Sequence, residues 1–276
     1  MLRLPVGLVR QDSFHRNSNT WDILFAIFAF SAPFIPGAAR VCKATLLGIE
    51  QAISMKRDGA LGAIFDWDGV IIDSSLHHEE SWERLALETG FSLPEGHFRK
   101  GFGMKNEFII PNLLNWSNRA EEIRELSLRK EELYREILLE WGIHALPGVT
   151  EWLAELGKRR IRCAIGSSTH RLNIDTCLRV LGLEDCFAAI VTAEDVSRGK
   201  PDPEVFLTAA GRIGVDPSGC VVFEDAFAGI EAAHRGGMKV VAVATTNRIE
   251  TLNGADLAVH RLDELTVDQV AALVAR

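Results

Sequence analysis

From Gly59 onward the chain alternates between short apolar runs, each ending in polar or glycine-rich residues, and longer stretches with helical patterning. The runs are Ala60–Phe65, Ile161–Ile165, Ala188–Val191, Cys220–Phe223, Val240–Val243 and Leu257–Val259. Strands this short and this continuously apolar suit burial on both faces, as in a parallel sheet covered by helices. Parallel neighbours need a crossover between them, and each interval from the second run to the fifth has room for one helix. The expected fold class is therefore α/β, a doubly wound and mostly parallel sheet.

The interval between the first and second runs is far longer. It reads as an inserted helical domain over 75–143, which leaves the core domain to be assembled from 55–74 and 144–276. Trp82, Leu85, Leu87 and Phe91 mark one amphipathic stretch of the insert. Ile123, Leu126, Leu128, Leu133, Ile137 and Leu138 mark a longer one. Its other positions are rich in Glu, Lys and Arg, as solvated helix faces are, and Leu146-Pro147-Gly148 reads as the return linker. A chain of 276 residues, 47% apolar and 25% charged, suffices for a core domain plus a smaller insert.

Residues 1–54 follow a different pattern. Ile23 to Ala39 carries no charge, but the run is short for a membrane span and is broken by Pro33, Pro36 and Gly37. Arg3, Arg10 and Arg16 give a basic start, yet the apolar block begins late and no clear cleavage site follows it. Met55-Lys56-Arg57-Asp58, directly before the first apolar run, would be a natural beginning. The segment is read first as a leader or extension of doubtful structure, second as a targeting segment and third as a membrane anchor. The expected location is the cytoplasm, or an organelle if the segment directs import. Cys42, Cys163, Cys177, Cys186 and Cys220 form no C-x-x-C pair, which favours reduced thiols over disulfides or a zinc site. A net charge of −8 disfavours nonspecific binding to nucleic acid or anionic membrane. A monomer is the expected assembly.

The chemistry gathers at the ends of the expected strands, where a doubly wound sheet has its ligand crevice. The first run ends Asp66-Trp67-Asp68-Gly69. At strand spacing the two carboxylates point the same way, and two packed acids call for a cation or a shared proton. Magnesium, which favours a few carboxylate oxygens plus water, answers that need. Taken alone, the segment reads equally as an Asp-Gly turn. The second run ends Ser167-Ser168-Thr169, which suits a phosphate or a plain helix cap. Lys200 precedes Asp202-Pro203, a helix start, and supplies the positive charge an acidic crevice requires. The fourth run ends in Glu224-Asp225. Four acids from two strand ends, with a lysine and hydroxyls between them, are hard to explain as unrelated turns.

Asp66-Trp67-Asp68-Gly69, Ser167, Lys200 and Glu224-Asp225, in this order at four strand ends, resemble the motifs of the haloacid dehalogenase-like hydrolase superfamily. The resemblance runs from about Gly59 to the C-terminus, and the insert resembles that superfamily's helical cap of the first type. It implies a magnesium-dependent phosphatase acting on a small phosphorylated metabolite. In that scheme Asp66 is the nucleophile, Asp68 the acid and base, and Lys200 a catalytic cation. Ser167 and Ser168 hold the phosphate. Asp66, Asp68 and Asp225 hold magnesium, with Glu224 in support.

Within the superfamily the chain is most similar to the β-phosphoglucomutase and phosphatase branch. Met104-Lys105-Asn106-Glu107, Arg198–Pro203 and Glu231–His234 also resemble phosphatases of flavin biosynthesis, whose substrates include 5-amino-6-(5-phosphoribitylamino)uracil. His78, Lys105, Asn106 and Lys130 are the implied substrate residues of the cap. His78 reads equally as a capping or solvent-facing histidine, and Lys130 as a solvated helix residue. Lys105-Asn106 stands where a mutase carries an arginine for a second phosphate, which favours a phosphatase over the alternative phosphosugar mutase. Asp68 disfavours dehalogenase chemistry. A noncatalytic binding protein of the same fold is the remaining alternative.

Overall fold

The computed structural model describes residues 61–101 and 104–275. The readings made for residues 1–54 therefore lie outside the described residues. The six apolar runs form six strands: β1 (Gly62–Phe65), β2 (Arg162–Gly166), β3 (Ala189–Val191), β4 (Cys220–Glu224), β5 (Lys239–Val243) and β6 (Leu257–Val259). They make one sheet in the order β3-β2-β1-β4-β5-β6, and every pairing is parallel.

Period-two alternation sorts the strand residues onto two faces. Ala63, Phe65, Cys163, Ile165, Val221, Phe223, Val241 and Val243 belong to one core. The helices Val149–Lys158 (α5), Arg171–Leu181 (α6) and Val267–Val274 (α9) contribute to it. Ile64, Ala164, Val222, Val240 and Ala242 belong to the second, with Glu204–Ile213 (α7) and Phe227–Arg235 (α8). The chain winds outward from β1 through β2 to β3, then crosses to β4 on the other side of β1. The switch point thus lies between β1 and β4, where crossovers diverge and a crevice opens at the carboxyl edge.

Between β1 and β2 lie the helices Ser75–Thr89 (α1), His97–Gly101 (α2), Asn106–Ile109 (α3) and Ala120–Trp141 (α4). A π-helical turn, Ile110–Leu114, continues α3. Trp82, Leu85, Ile109, Ile110, Leu114, Trp116, Leu126 and Leu133 form a third apolar cluster within this stretch. Two expected core positions are exposed instead, Leu87 at 84% and Leu128 at 57%. Each lies two residues, about 200°, beyond a buried leucine (Leu85 and Leu126) and so falls on the opposite helix face. The two connections to the core pair with each other, through an antiparallel bridge between Ile72 and Ala145 and a 2.8 Å hydrogen bond from Leu146 N to Ile71 O. Cys163, Cys177, Cys186 and Cys220 are all free thiols, and burial pushes the first, second and fourth up to about 12. No helix among the described residues is long and apolar enough to cross a membrane.

The centre of the sheet is anchored by the Phe65 ring, stacked on Phe223 at 4.5 Å and edge-on to Phe187 at 6.0 Å. Phe65→Ala is expected to cost about 3–5 kcal/mol, the range for deleting a buried aromatic ring. In urea the midpoint falls with an unchanged slope. A loss below about 1 kcal/mol contradicts this placement of the core.

Candidate active site

Asp66 directly follows β1, and its N–H extends the ladder by donating to Phe223 O at 2.9 Å. Asp66, Glu224 and Asp225 are therefore brought together from neighbouring strand ends, with carboxylate oxygens within 4.8 Å of one another. All three are buried. Two glycines make this approach possible. Gly69 has φ of +80°, and a Cβ there would stand 2.1 Å from Asp225 Oδ2. A Cβ on Gly229 would stand 2.0 Å from Glu224 Cδ. Trp67, between the two aspartates, is fully buried in the core on the Phe65 side.

Lys200 reaches this cluster from the loop before α7 and is joined to Pro201 by a cis peptide bond. Its ammonium lies 2.7 Å from Asp66 Oδ1 and 2.8 Å from Glu224 Oε2, and 4.8 Å from the centre of the Phe206 ring. Burial works against the Lys200 charge, but the Asp66 and Glu224 carboxylates outweigh it and hold the ammonium above its ordinary range. Burial pushes Glu224 up, and Lys200 pulls it back. Asp225 is raised to about 6, by burial first and by Asp66 second, against a hydrogen bond from Thr246. Glu224 also accepts from the backbone N–H of Ala226 at 3.2 Å, so both its oxygens are engaged. Three hard oxygen donors in a buried pocket short of positive charge fit a magnesium ion.

Asp68 is partly buried and sits between two hydroxyls. Ser74 donates to Oδ1, and Thr169 donates to Oδ2 at 2.5 Å. Burial raises its carboxyl, the two hydroxyls oppose that, and the nearby Asp66 charge adds to it. Ser167 is buried just beyond β2 and accepts from Thr169 N at 3.1 Å, whereas Ser168 is exposed. Sequence reasoning gave no role to Ser74 or Thr246 and read Thr169 only as part of a phosphate-binding or capping segment, and the short hydroxyl residues flanking the acids were the available signal.

On the insert, His78 and Lys130 come together and Lys105 does not join them. Lys130 Nζ lies 2.6 Å from His78 Nδ1, and the His78 ring stacks on Tyr134 at 4.1 Å. Lys130 is only 3% exposed, which corrects its reading as a solvated helix residue. Its ammonium stands over the Trp82 and Tyr134 rings at 5.6 and 5.5 Å. Burial lowers its proton affinity, while Glu131 and Asp68 restore part of it. His78 is half-buried, so it is neither a helix cap nor a solvent-facing side chain, and burial followed by the Lys130 charge holds it well below its ordinary range. Asn106 is buried and donates to Glu131 Oε1 at 2.7 Å. Lys105 is exposed at the start of α3. Glu131, which sequence reasoning missed, had no signal beyond its place beside Lys130.

The family model for haloacid dehalogenase-like hydrolases matches residues 63–243. The chain is 41% identical over 212 residues to the chloroplastic 5-amino-6-(5-phospho-D-ribitylamino)uracil phosphatase of Arabidopsis thaliana. That match takes in 76% of this chain but spans only 56% of the Arabidopsis protein's length. Identity to the β-phosphoglucomutase of Bacillus subtilis is 32%, over 74% of this chain and 91% of that protein. Among solved structures, a family IA hydrolase from Entamoeba histolytica matches with a TM-score of 0.71 and 28% identity, covering 78% of this chain and 100% of its own. A β-phosphoglucomutase from Clostridium difficile matches with a TM-score of 0.67 and 28% identity, covering 78% and 97%. With its parallel sheet, its acidic strand ends and these relatives, the chain belongs to the haloacid dehalogenase-like hydrolases.

Proposed function

We propose that this chain is a magnesium-dependent phosphatase that hydrolyses a small phosphomonoester through an aspartyl-phosphate on Asp66. The observation that carries the reading is the Lys200 ammonium 2.7 Å from an Asp66 carboxylate already grouped with Glu224 and Asp225. In this scheme an Asp66 oxygen attacks phosphorus while the ester P–O bond breaks. The departing alkoxide takes the proton that the raised Asp68 carboxyl holds. Asp68 then accepts a proton from water as that water attacks phosphorus. The bond to Asp66 breaks, and inorganic phosphate leaves. Ser167 and the adjacent backbone N–H groups hold the phosphate oxygens, and Lys200 offsets charge on the transferring group. Magnesium, when bound by Asp66, Asp225 and the Asp68 carbonyl with Glu224 in support, supplies further positive charge there. Residues 75–143 act as a cap that sets specificity and excludes water.

The substrate to test first is 5-amino-6-(5-phospho-D-ribitylamino)uracil. The Arabidopsis relative and the Met104-Lys105-Asn106-Glu107 stretch support it ahead of a sugar phosphate. The chloroplastic name of that relative also supports an import role for residues 1–54. The Bacillus subtilis relative keeps a mutase as the second reading. Against it, the buried cation of the insert, Lys130, is already paired with Glu131 at 3.0 Å, which leaves it less free to grip a second phosphate.

Phosphate release from this substrate and a panel of sugar phosphates is expected to need magnesium and to drop at least roughly 10³-fold in Asp66→Asn. Equal release by the two proteins removes Asp66 as nucleophile. Conversion of β-glucose 1-phosphate to the 6-phosphate without net release moves the mutase ahead.

A second prediction follows from Asp225. Its folded carboxyl lies at about 6, above the ordinary 3.8, so between these values the folded chain holds a proton that the unfolded chain has lost. Metal-free stability therefore falls as pH rises through that window. Magnesium takes the deprotonated form and competes with that proton only at the acid end. Saturating magnesium is expected to raise Tm more at about pH 8 than at about pH 5, and Asp225→Asn to abolish the difference. Equal shifts at both pH values would mean that this cluster is not where the ion binds.

A further inference from the structure

Glu131 is 7% exposed on α4, and both its oxygens are committed. Oε1 accepts from Lys130 Nζ at 3.0 Å and from Asn106 Nδ2 at 2.7 Å. Oε2 accepts from Asn173 Nδ2 at 2.5 Å. Asn173 is 1% exposed on α6, a helix of the core, and its Oδ1 accepts from Arg135 Nη1 at 2.9 Å. One carboxylate thus joins the α3 turn, the long helix of the insert and a core helix that begins just after the Ser167 loop. Burial works against the Glu131 charge, but Lys130 and the two amides hold its carboxyl down at about 2.

That anion bears on the active site through Lys130. A buried ammonium keeps its proton only beside a counter-charge. While it does, Lys130 donates to His78 Nδ1, so Nδ1 is an acceptor and the ring proton sits on Nε2. Stacking on Tyr134, with 15° between the ring planes, fixes the imidazole plane. We propose that Glu131 is a positioning residue of the phosphoryl-transfer site. By bonding Lys130, Asn106 and Asn173 at once, it fixes the tautomer of His78 and the register of the insert near Asp68. The role in turnover rests on the phosphatase reading, whereas the effect on His78 does not. The charged and titratable groups facing Lys130 and His78 are Glu131 on the same helix, Tyr134 one turn on, His77 on α1, Asp68 after β1 and His170 after β2.

The test is Glu131→Gln, which keeps the shape and removes the charge. It is read by nitrogen NMR of the histidine rings, with His78→Gln assigning the signal, and by the pH profile of phosphate release. Wild type is expected to show His78 protonated at Nε2 and unprotonated at Nδ1. In Glu131→Gln, Lys130 gives up its proton earlier. The His78 signals and the alkaline limb of kcat then move together to lower pH by about one unit or more, with kcat down ~10-fold and KM changed less. Asn173→Ala keeps the Glu131 charge and removes the bonds that join the core helix to Glu131 and Arg135, so it lowers kcat while leaving the His78 spectrum and the alkaline limb in place. It also carries the test of register if Glu131→Gln does not fold, as circular dichroism will show, and unchanged turnover in it overturns that role. A Glu131→Gln protein with the wild-type His78 spectrum and alkaline limb overturns the proposal. Because the spectrum needs no turnover, a chain without phosphatase activity whose His78 signal still shifts keeps the network and loses only the proposed function.

Discussion

Like charges held together at the end of two central strands are the constraint on which this structure turns. Two carboxylates about 4 Å apart repel by ~4 kcal/mol at the effective dielectric typical of protein sites. Asp66, Glu224 and Asp225 are brought within that range by the β1–β4 ladder, not by their own attraction. The sheet bears this cost because its centre is a stack of buried rings and aliphatic side chains on both faces. Lys200 offsets only part of the charge, since one ammonium faces three carboxylates. Burial first and the Asp66 charge second raise Asp225, and the uncompensated negative charge creates a demand that a divalent cation would meet. Gly69 and Gly229 belong to the same constraint, because a side chain at either would force the acids apart.

Asp68 is governed by a different balance. Burial first, with the Asp66 charge, keeps its proton affinity high, and the hydrogen bonds from the Ser74 and Thr169 hydroxyls oppose that. Ser74 lies in the connection entering the insert, immediately before α1, and Thr169 lies in the loop after β2. The donor pair that sets the Asp68 proton is therefore split between the insert's connection and the core. His77, in the first turn of α1, strengthens that connection by donating from Nε2 to Gly142 O at 2.8 Å, tying the start of α1 to the end of α4. A shift of the linker moves a donor of the group proposed to protonate the leaving alkoxide, which couples the position of the insert to the chemistry.

The legible part of this molecule is the part encoded locally. Each strand was visible because a buried parallel strand needs an unbroken apolar run, and the acids were visible because the site is built from residues that follow such runs. Asp66, Lys200, Glu224 and Asp225 needed only strand ends to be placed near one another, and the sheet order did so. The insert was less legible. Hydrophobicity marks its helices but not their buried faces at Leu87 and Leu128, because two-residue spacing within a helix leaves the buried stripe.

The illegible part depends on partners distant in sequence. Nothing around Lys130 distinguishes it from a solvated helix residue, because its burial follows from Trp82, Tyr134 and His78 closing over it. Glu131 follows it by one residue, a spacing that normally turns side chains to different faces. The two meet because both are enclosed where α1, α3, α4 and α6 converge, and there a lone buried ion of either sign would be costly. Fold-defining positions repeat a pattern along the chain, whereas this contact is specified by a single carboxylate whose partners come from three separate segments. Specificity in such a fold can therefore change by exchange of a few buried polar residues while the strand ends keep their acids.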